Sequence, residues 1–360
     1  MIINKNSSLI NFVKSIIDQN NINMNVADML MEAFNYTDLI NSEEVKQFIK
    51  EGYQEKEAIL QILYRFYGLD DSSIENQTIM SEYFLDNIRK LDSDDYINNP
   101  YAKSILKGGR YNQYQLKYLS YEPYQLFAYD DIKTNGYKEY SQIGYFTQKF
   151  SYLALTEGNN VWMSLNPNEI ETMKPFIEKG KGNVLVLGLG MGYVPFMLAR
   201  KEEVKSITIV EKDKSIIALF NALIYPYFPH KDKIRIIEDD ALKYLQNKEK
   251  KPRFDYVFAD LWHNPDDGLP LFVALKKIDL NIDCWLEVSL YALLRRCMIT
   301  LLEEQLENYQ EEAYKHAKNY TDKVINLYYQ KTKNIQLNSK EDVISLLKDE
   351  NLLSLLITSD

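Results

Sequence analysis

The sequence predicts an α/β protein: a Rossmann-like, mostly parallel sheet, with a helical N-terminal domain and C-terminal helices. Three observations predict it. Between about residues 182 and 288, short apolar segments alternate with helical patterns, as βαβ units do. Those segments lack polar alternation, as strands covered on both faces do. The first of them, in GNVLVLGLGMGYVPF, runs straight into three glycines in five positions, Gly188, Gly190 and Gly192. Glycine packs nothing and costs backbone entropy, so a cluster needs a local reason.

In chain order, residues 1–95 read as a helical domain. Leu60, Leu63 and Tyr67 recur at three and four spacing, widened by Ile59, Ile62 and Phe66, and Ser42 opens a further helix. Residues 96–150 form a connecting region with eleven tyrosines between Tyr96 and Tyr145. Tyrosine joins a large apolar ring to a polar tip, which suits an inter-domain or homodimer contact; a ligand-stacking platform is the alternative.

Residues 151–290 carry a hairpin and then the parallel sheet. The strands 152–156 and 161–165 flank the turn signal EGNN, and Asn166 caps a helix that begins with Pro167. Strands then fall at 184–188, 206–211, 234–237 and 256–260, with helices at 191–201, 214–223, 241–247 and 269–277. A fifth strand is expected at 284–288. Residues 291–360 form a helical extension, with a long helix or helix pair to about 328 and another helix over 339–356. The sheet therefore stops at five or six strands.

The totals exclude some functions. A formal net charge of -10 argues against a nucleic-acid backbone as partner, because phosphate binding needs a basic surface. Hydrophobic residues make up 46% and charged residues 26%, as in an ordinary globular chain. The two cysteines, Cys284 and Cys297, have no metal spacing and read as reduced buried thiols. The first residues form an amphipathic pattern rather than a secretory signal, and no apolar run spans a membrane, so a cytoplasmic location is expected.

Ligands of open parallel sheets sit beyond the carboxyl ends of the strands. Gly188 ends the first strand, Gly190 lets the chain turn, and Gly192 lets backbone come close to a ligand at the start of the next helix. Three carboxylates fall at the next strand ends. Glu211 closes SITIVE, 23 residues after Gly188, where an acid accepts both hydroxyls of a ribose. Asp240 follows the third strand, where a carboxylate accepts a hydrogen bond from an adenine amino group, with Asp239 as its near alternative. Asp260 ends the fourth, where a reacting group would lie. Their neighbours Lys212 and Ala241 complete the candidate cofactor-binding set. A nicotinamide site wants G-x-G-x-x-G, and Tyr193 stands at the last glycine; no GK[ST] is present, which excludes a P-loop. His263 has two readings: a second proton carrier, or a loop histidine with a structural partner.

The set VLVLGLGMGY, ITIVEKD, IIEDDALKYL and FDYVFADLW resembles the class I S-adenosylmethionine-dependent methyltransferases over about residues 180–275. Within that superfamily the chain is most similar to spermidine synthase, a likeness that reaches back to about residue 152. The resemblance implies that the glycines hold the methionine part of S-adenosylmethionine, Glu211 the ribose and Asp240 or Asp239 the adenine. It implies that Asp260 takes a proton as general base. Met191 replaces the family's aminopropyl-gripping aspartate, and Met163 or a neighbour its hairpin glutamine. Of the family's tyrosine–histidine–glutamate group, Glu171 matches the glutamate. The expected activity is therefore methyl transfer from S-adenosylmethionine to a small molecule, with no metal, nucleic acid or membrane partner. Aminopropyl transfer and a non-catalytic nucleoside-binding or assembly role are the alternatives.

Overall fold

The computed structural model describes residues 1–105, 108–247, 253–307 and 317–358. Its centre is a five-stranded parallel sheet. In chain order the strands are Gly182–Leu187, Val204–Glu211, Ile234–Glu238, Tyr256–Ala259 and Asp283–Cys284. In space the order is third, second, first, fourth, fifth. Ile207 pairs with both Val184 and Ile234, and Tyr256 pairs with Val184, so the apolar runs lie in register. Val184, Leu185, Val186 and Leu187 are all buried, as are Ile207, Ile209 and Val210. Helices cover both faces, which explains the missing polar alternation. The strand order reverses between the first and fourth strands, where such sheets open a crevice at their carboxyl edge.

The hairpin is present as Phe150–Glu157 and Asn160–Ser164. The helix Pro167–Lys179 follows, with Asn166 Oδ1 accepting the Glu169 N–H at 3.0 Å. Pro167 sits at the first helical position, where its missing N–H costs nothing. The hairpin belongs to a larger antiparallel sheet with Gly109–Tyr111 and Tyr114–Tyr121. A third sheet joins Ile88–Lys90, Lys138–Tyr145 and Phe127–Asn135.

The tyrosine-rich stretch thus holds four strands that its composition concealed. Tyr114, Leu116 and Tyr121 are buried in a strand whose intervening residues are more open. Tyrosine favours such half-buried pleated surfaces. Elsewhere the boundaries shift. The helix expected at 191–201 is Tyr193–Ala199, and the one expected at 269–277 begins at Pro265 under an Asn264–Asp267 capping box. The fifth strand ends at Cys284 instead of reaching Val288. Leu286 turns at φ 52°, and Glu287 opens the helix Glu287–Leu306 while accepting the Cys284 N–H at 3.2 Å. Residues 308–316 of the expected long helical stretch lie outside the described residues.

The N-terminal helix Ser7–Asn35 joins two cores. Leu9, Val13 and Ile16 pack into the core of the parallel sheet, whereas Val26, Leu30 and Ala33 pack with Ile59, Leu63 and Phe84 in a second. Tyr124, Leu126, Ile143 and Tyr145 complete that second core. An ion pair between Arg296 and Glu139 ties Glu287–Leu306 to the third sheet. Both cysteines are free and buried. Among the described residues no helix is long and apolar enough to cross a membrane.

Candidate active site

A cavity of about 570 Å³ opens at the carboxyl edge of the parallel sheet. Gly188, Gly190, Gly192, Glu211, Lys212, Asp239, Asp240, Ala241 and Asp260 all line it. Residues from four strand ends therefore meet in one space, of the size that small-molecule sites have.

The glycine bend forms its floor. Gly188, Gly190 and Gly192 have φ of 96°, 54° and 75°, a region that L side chains rarely enter. Gly188 N–H donates to the Val210 carbonyl and Asp260 N–H to the Leu187 carbonyl, which carries the sheet ladder to the edge of the cavity. A Cβ on Gly192 would lie 2.5 Å from the Phe220 ring, so this glycine answers to packing beneath the bend. At Gly190 a Cβ would meet only the end of the Met163 side chain, its sulfur at 3.3 Å.

Glu211 is fixed by main chain. Its Oε2 accepts the Leu189 N–H at 3.0 Å and its Oε1 accepts the Asp213 N–H at 2.8 Å. Each carboxylate oxygen keeps a further lone pair for a ligand hydroxyl. Asp240 caps the helix Ala241–Gln246 by accepting the Lys243 N–H at 3.0 Å, and Asp239 accepts the Asp240 N–H at 2.8 Å. Asp240 is the more buried of the two.

The fourth-strand end of the cavity holds two carboxyl groups. Asp260 and Glu169 both line the cavity. Removal from bulk water, with the negative charge of Glu211 second, pushes the Asp260 carboxyl up to about 7. Removal from water and then the charge of Asp260 hold Glu169 well above the usual carboxylate range. Near neutral pH such a pair carries less than two full charges and can take or hold a proton. In the sequence Glu169 has no mark beyond its place two residues after Pro167. The Asn166–Pro167 start places it facing the cavity. Glu171, the position matched by resemblance, instead pairs with Lys174 at 2.6 Å and does not line the cavity.

His263 lies on the rim with a structural partner: its Nδ1 is 3.0 Å from Asp267 Oδ2, and its backbone N–H donates to the same carboxylate. Its ring packs edge-on against Trp162, with centroids 4.8 Å apart. The chain's three tryptophans, Trp162, Trp262 and Trp285, all line the cavity. Periodicity gave them no mark, although each stands within two residues of Met163, Asp260 or Cys284. None of the eleven tyrosines of the connecting region lines it. Two of them support the site from behind. The fully buried Tyr101 donates its hydroxyl to the Met191 carbonyl, and Tyr114 approaches Asp213 Oδ2 at 3.3 Å. Among the described residues no cluster of His, Cys, Asp and Glu has the makings of a metal site.

Residues 168–345 match the spermine/spermidine synthase domain. The match opens one residue before Glu169 and takes in all four strand ends of the cavity. Over that stretch the chain is similar to the spermine/spermidine synthase domain. Comparison with the curated proteins finds no match. Among solved structures, human methyltransferase-like protein 13 in complex with SAH is 24% identical over 31% of this chain and 54% of its own, with a TM-score of 0.23. A protein proposed to be an O-methyltransferase from Klebsiella pneumoniae is 15% identical over 29% of this chain and 47% of its own, also at 0.23. A dimethyladenosine transferase from Plasmodium falciparum is 23% identical over 27% of this chain and 30% of its own, at 0.19. The matched stretch spans about half the length of the first two.

Proposed function

We propose that the synthase-like domain binds S-adenosylmethionine and transfers its methyl group to a small acceptor. The observation that carries this reading is the convergence of the glycine bend, Glu211, Asp240 and Asp260 on one cavity. The residues present suit an adenosyl group. Gly190 leaves the floor open except at the end of the Met163 side chain, and Glu211 is oriented by two backbone N–H groups with lone pairs to spare. Glu211 would hold the ribose, Asp240 or Asp239 the adenine amino group, and the bend from Gly188 to Gly192 the methionine part. The nucleoside supplies, when bound, a methyl group activated by a positive sulfur.

The chain's own part is to align an acceptor and exclude water. Asp260, poised near neutrality, takes the proton an acceptor gives up. Glu169 beside it keeps that proton in a shared site. Met191, which is 5% exposed, and Met163 make the methionine end apolar where resemblance would put an aspartate and a glutamine. That substitution favours methyl over aminopropyl transfer, because an aminopropyl ammonium loses its anionic partner on the glycine bend.

Aminopropyl transfer stands as the second reading, supported by the domain match itself. Calorimetry with S-adenosylmethionine, adenosylhomocysteine and decarboxylated adenosylmethionine decides between them. Tighter binding of the first two supports methyl transfer, and tighter binding of the third supports the synthase reading. Binding of none removes both.

A further inference from the structure

The helix Pro167–Lys179 meets the fourth and fifth strands along one stripe. Lys179 Nζ lies 2.8 Å from Asp283 Oδ2, and the Phe176 and Phe258 rings pack with centroids 4.6 Å apart. Thr172 Oγ1 accepts the Trp285 indole N–H at 2.9 Å. Glu169 comes next on the same stripe and feels the charge of Asp260. Residues 169, 172, 176 and 179 are three or four apart, so they share one helix face.

The three contacts below Glu169 are not equivalent. The Lys179 side chain is exposed, and an exposed ion pair holds little. The contact of Phe176 with Phe258 is apolar, and apolar burial is non-directional. Pro175, inside the helix, has no N–H for the Glu171 carbonyl, so the helix loses a hydrogen bond between these two contacts and Glu169. The bond from Trp285 to Thr172 lies beyond that break, one turn from Glu169. Both partners are buried. The Thr172 hydroxyl donates to the Asn168 carbonyl at 2.7 Å, which leaves its lone pairs for the indole. Trp285 is anchored at its other end by its backbone N–H, which donates to the Ala259 carbonyl at 2.9 Å, one residue before Asp260. The chain then bends at Leu286, whose φ of 52° is uncommon for a residue with a side chain. One residue thus bonds both elements that carry the two acids, one through main chain and one through side chain.

Resting on the transferase reading of this cavity, we propose that Trp285 is a positioning residue whose bond to Thr172 sets how close Glu169 stands to Asp260, and so makes the two carboxyls one proton-holding site. Without that bond the first turn of the helix moves off the strand end. The carboxyls separate, water reaches them, and the folded chain gives up the shared proton at lower pH.

The test is urea unfolding of the full chain between about pH 4 and 9, in wild type, Trp285→Phe, Thr172→Val and Thr172→Ser. Both carboxyls lie above their ordinary range in the folded chain, so wild-type stability falls as the pH rises through about 7. Glu211, Tyr193, Lys212 and His263 bring other titratable groups to the cavity from the second strand, the helix after the glycine bend and the fourth-strand loop, and none of them changes in any variant. In Trp285→Phe and Thr172→Val the fall is expected to end about one pH unit or more lower. Thr172→Ser keeps the hydroxyl and should restore the wild-type profile, and the double variant should move it no further than either single one. A wild-type profile in both Trp285→Phe and Thr172→Val, whatever their loss of overall stability, overturns the proposal and leaves Trp285 to packing. So does a shift in Thr172→Ser as large as in Thr172→Val. If Trp285→Phe does not fold, the two variants at Thr172 decide. Calorimetry with adenosylhomocysteine on the wild-type protein is the separate check: no binding removes the nucleoside reading, while the unfolding profiles still decide the role of Trp285.

Discussion

A Cβ placed on Gly188 would lie 1.9 Å from the carbonyl oxygen of Asp260. The first and fourth strands are neighbours, and their ends close to this spacing only because Gly188 has no side chain. The clash is with backbone, so no rotamer relieves it, and φ of 96° adds strain of about 1–3 kcal/mol for any other residue. Gly188→Ala is expected to lower the Tm in a thermal scan and to weaken adenosylhomocysteine binding by displacing Asp260. Gly190→Ala meets only the flexible end of Met163 and should leave the Tm closer to wild type. Equal effects of the two substitutions would rule out the close-approach account.

Glu211 orders the cavity through two main-chain N–H groups, Leu189 and Asp213. Glu211→Gln keeps one oxygen acceptor and turns an amide donor toward one of those N–H groups. The expected result is adenosylhomocysteine binding weaker by tenfold or more, about 1.4 kcal/mol. Wild-type affinity in this variant would separate Glu211 from the nucleoside.

Much of this site was legible because strand ends are sequence landmarks. An apolar run that stops at a glycine or acid marks its own carboxyl edge, and parallel topology brings all such edges together. Glu211, Asp240 and Asp260 follow from that logic. Glu169 did not, because helix periodicity does not say which acid of NEIE faces a cavity. Nor did the strands between Gly109 and Tyr145, where tyrosine on both faces hides the period of two.

The Asp260 carboxyl rises from its ordinary 3.8 to about 7 in the folded chain. Between those values the folded state binds more protons than the unfolded state. Stability is therefore greatest toward pH 4 for this group, falls as pH rises toward 7 and is level above it. Asp260→Asn should flatten that slope in denaturant titrations between pH 4 and 7. Turnover runs the other way, since a base must be deprotonated: the rate should rise with pH and level off above about 7. A rate independent of pH from 5 to 8 would show that no proton passes through Asp260.

Tyr101 tests whether the connecting region serves the site. It is fully buried, its hydroxyl donates to the Met191 carbonyl, and its ring packs edge-on against Tyr193 and Phe196, at centroid distances of 5.7 and 5.1 Å. Asn99 donates to the Tyr193 hydroxyl at 3.0 Å, so the short helix Pro100–Ser104 and its cap hold the glycine bend from behind. Tyr101→Phe keeps the ring and removes the hydrogen bond, leaving the Met191 carbonyl without this partner, at a cost of about 1–3 kcal/mol. The loss should appear both as reduced stability in urea and as weaker adenosylhomocysteine binding, because the bend that Met191 belongs to is the cavity floor. Reduced stability with unchanged binding would assign Tyr101 to packing alone, and would leave the glycine bend rigid by its own backbone geometry.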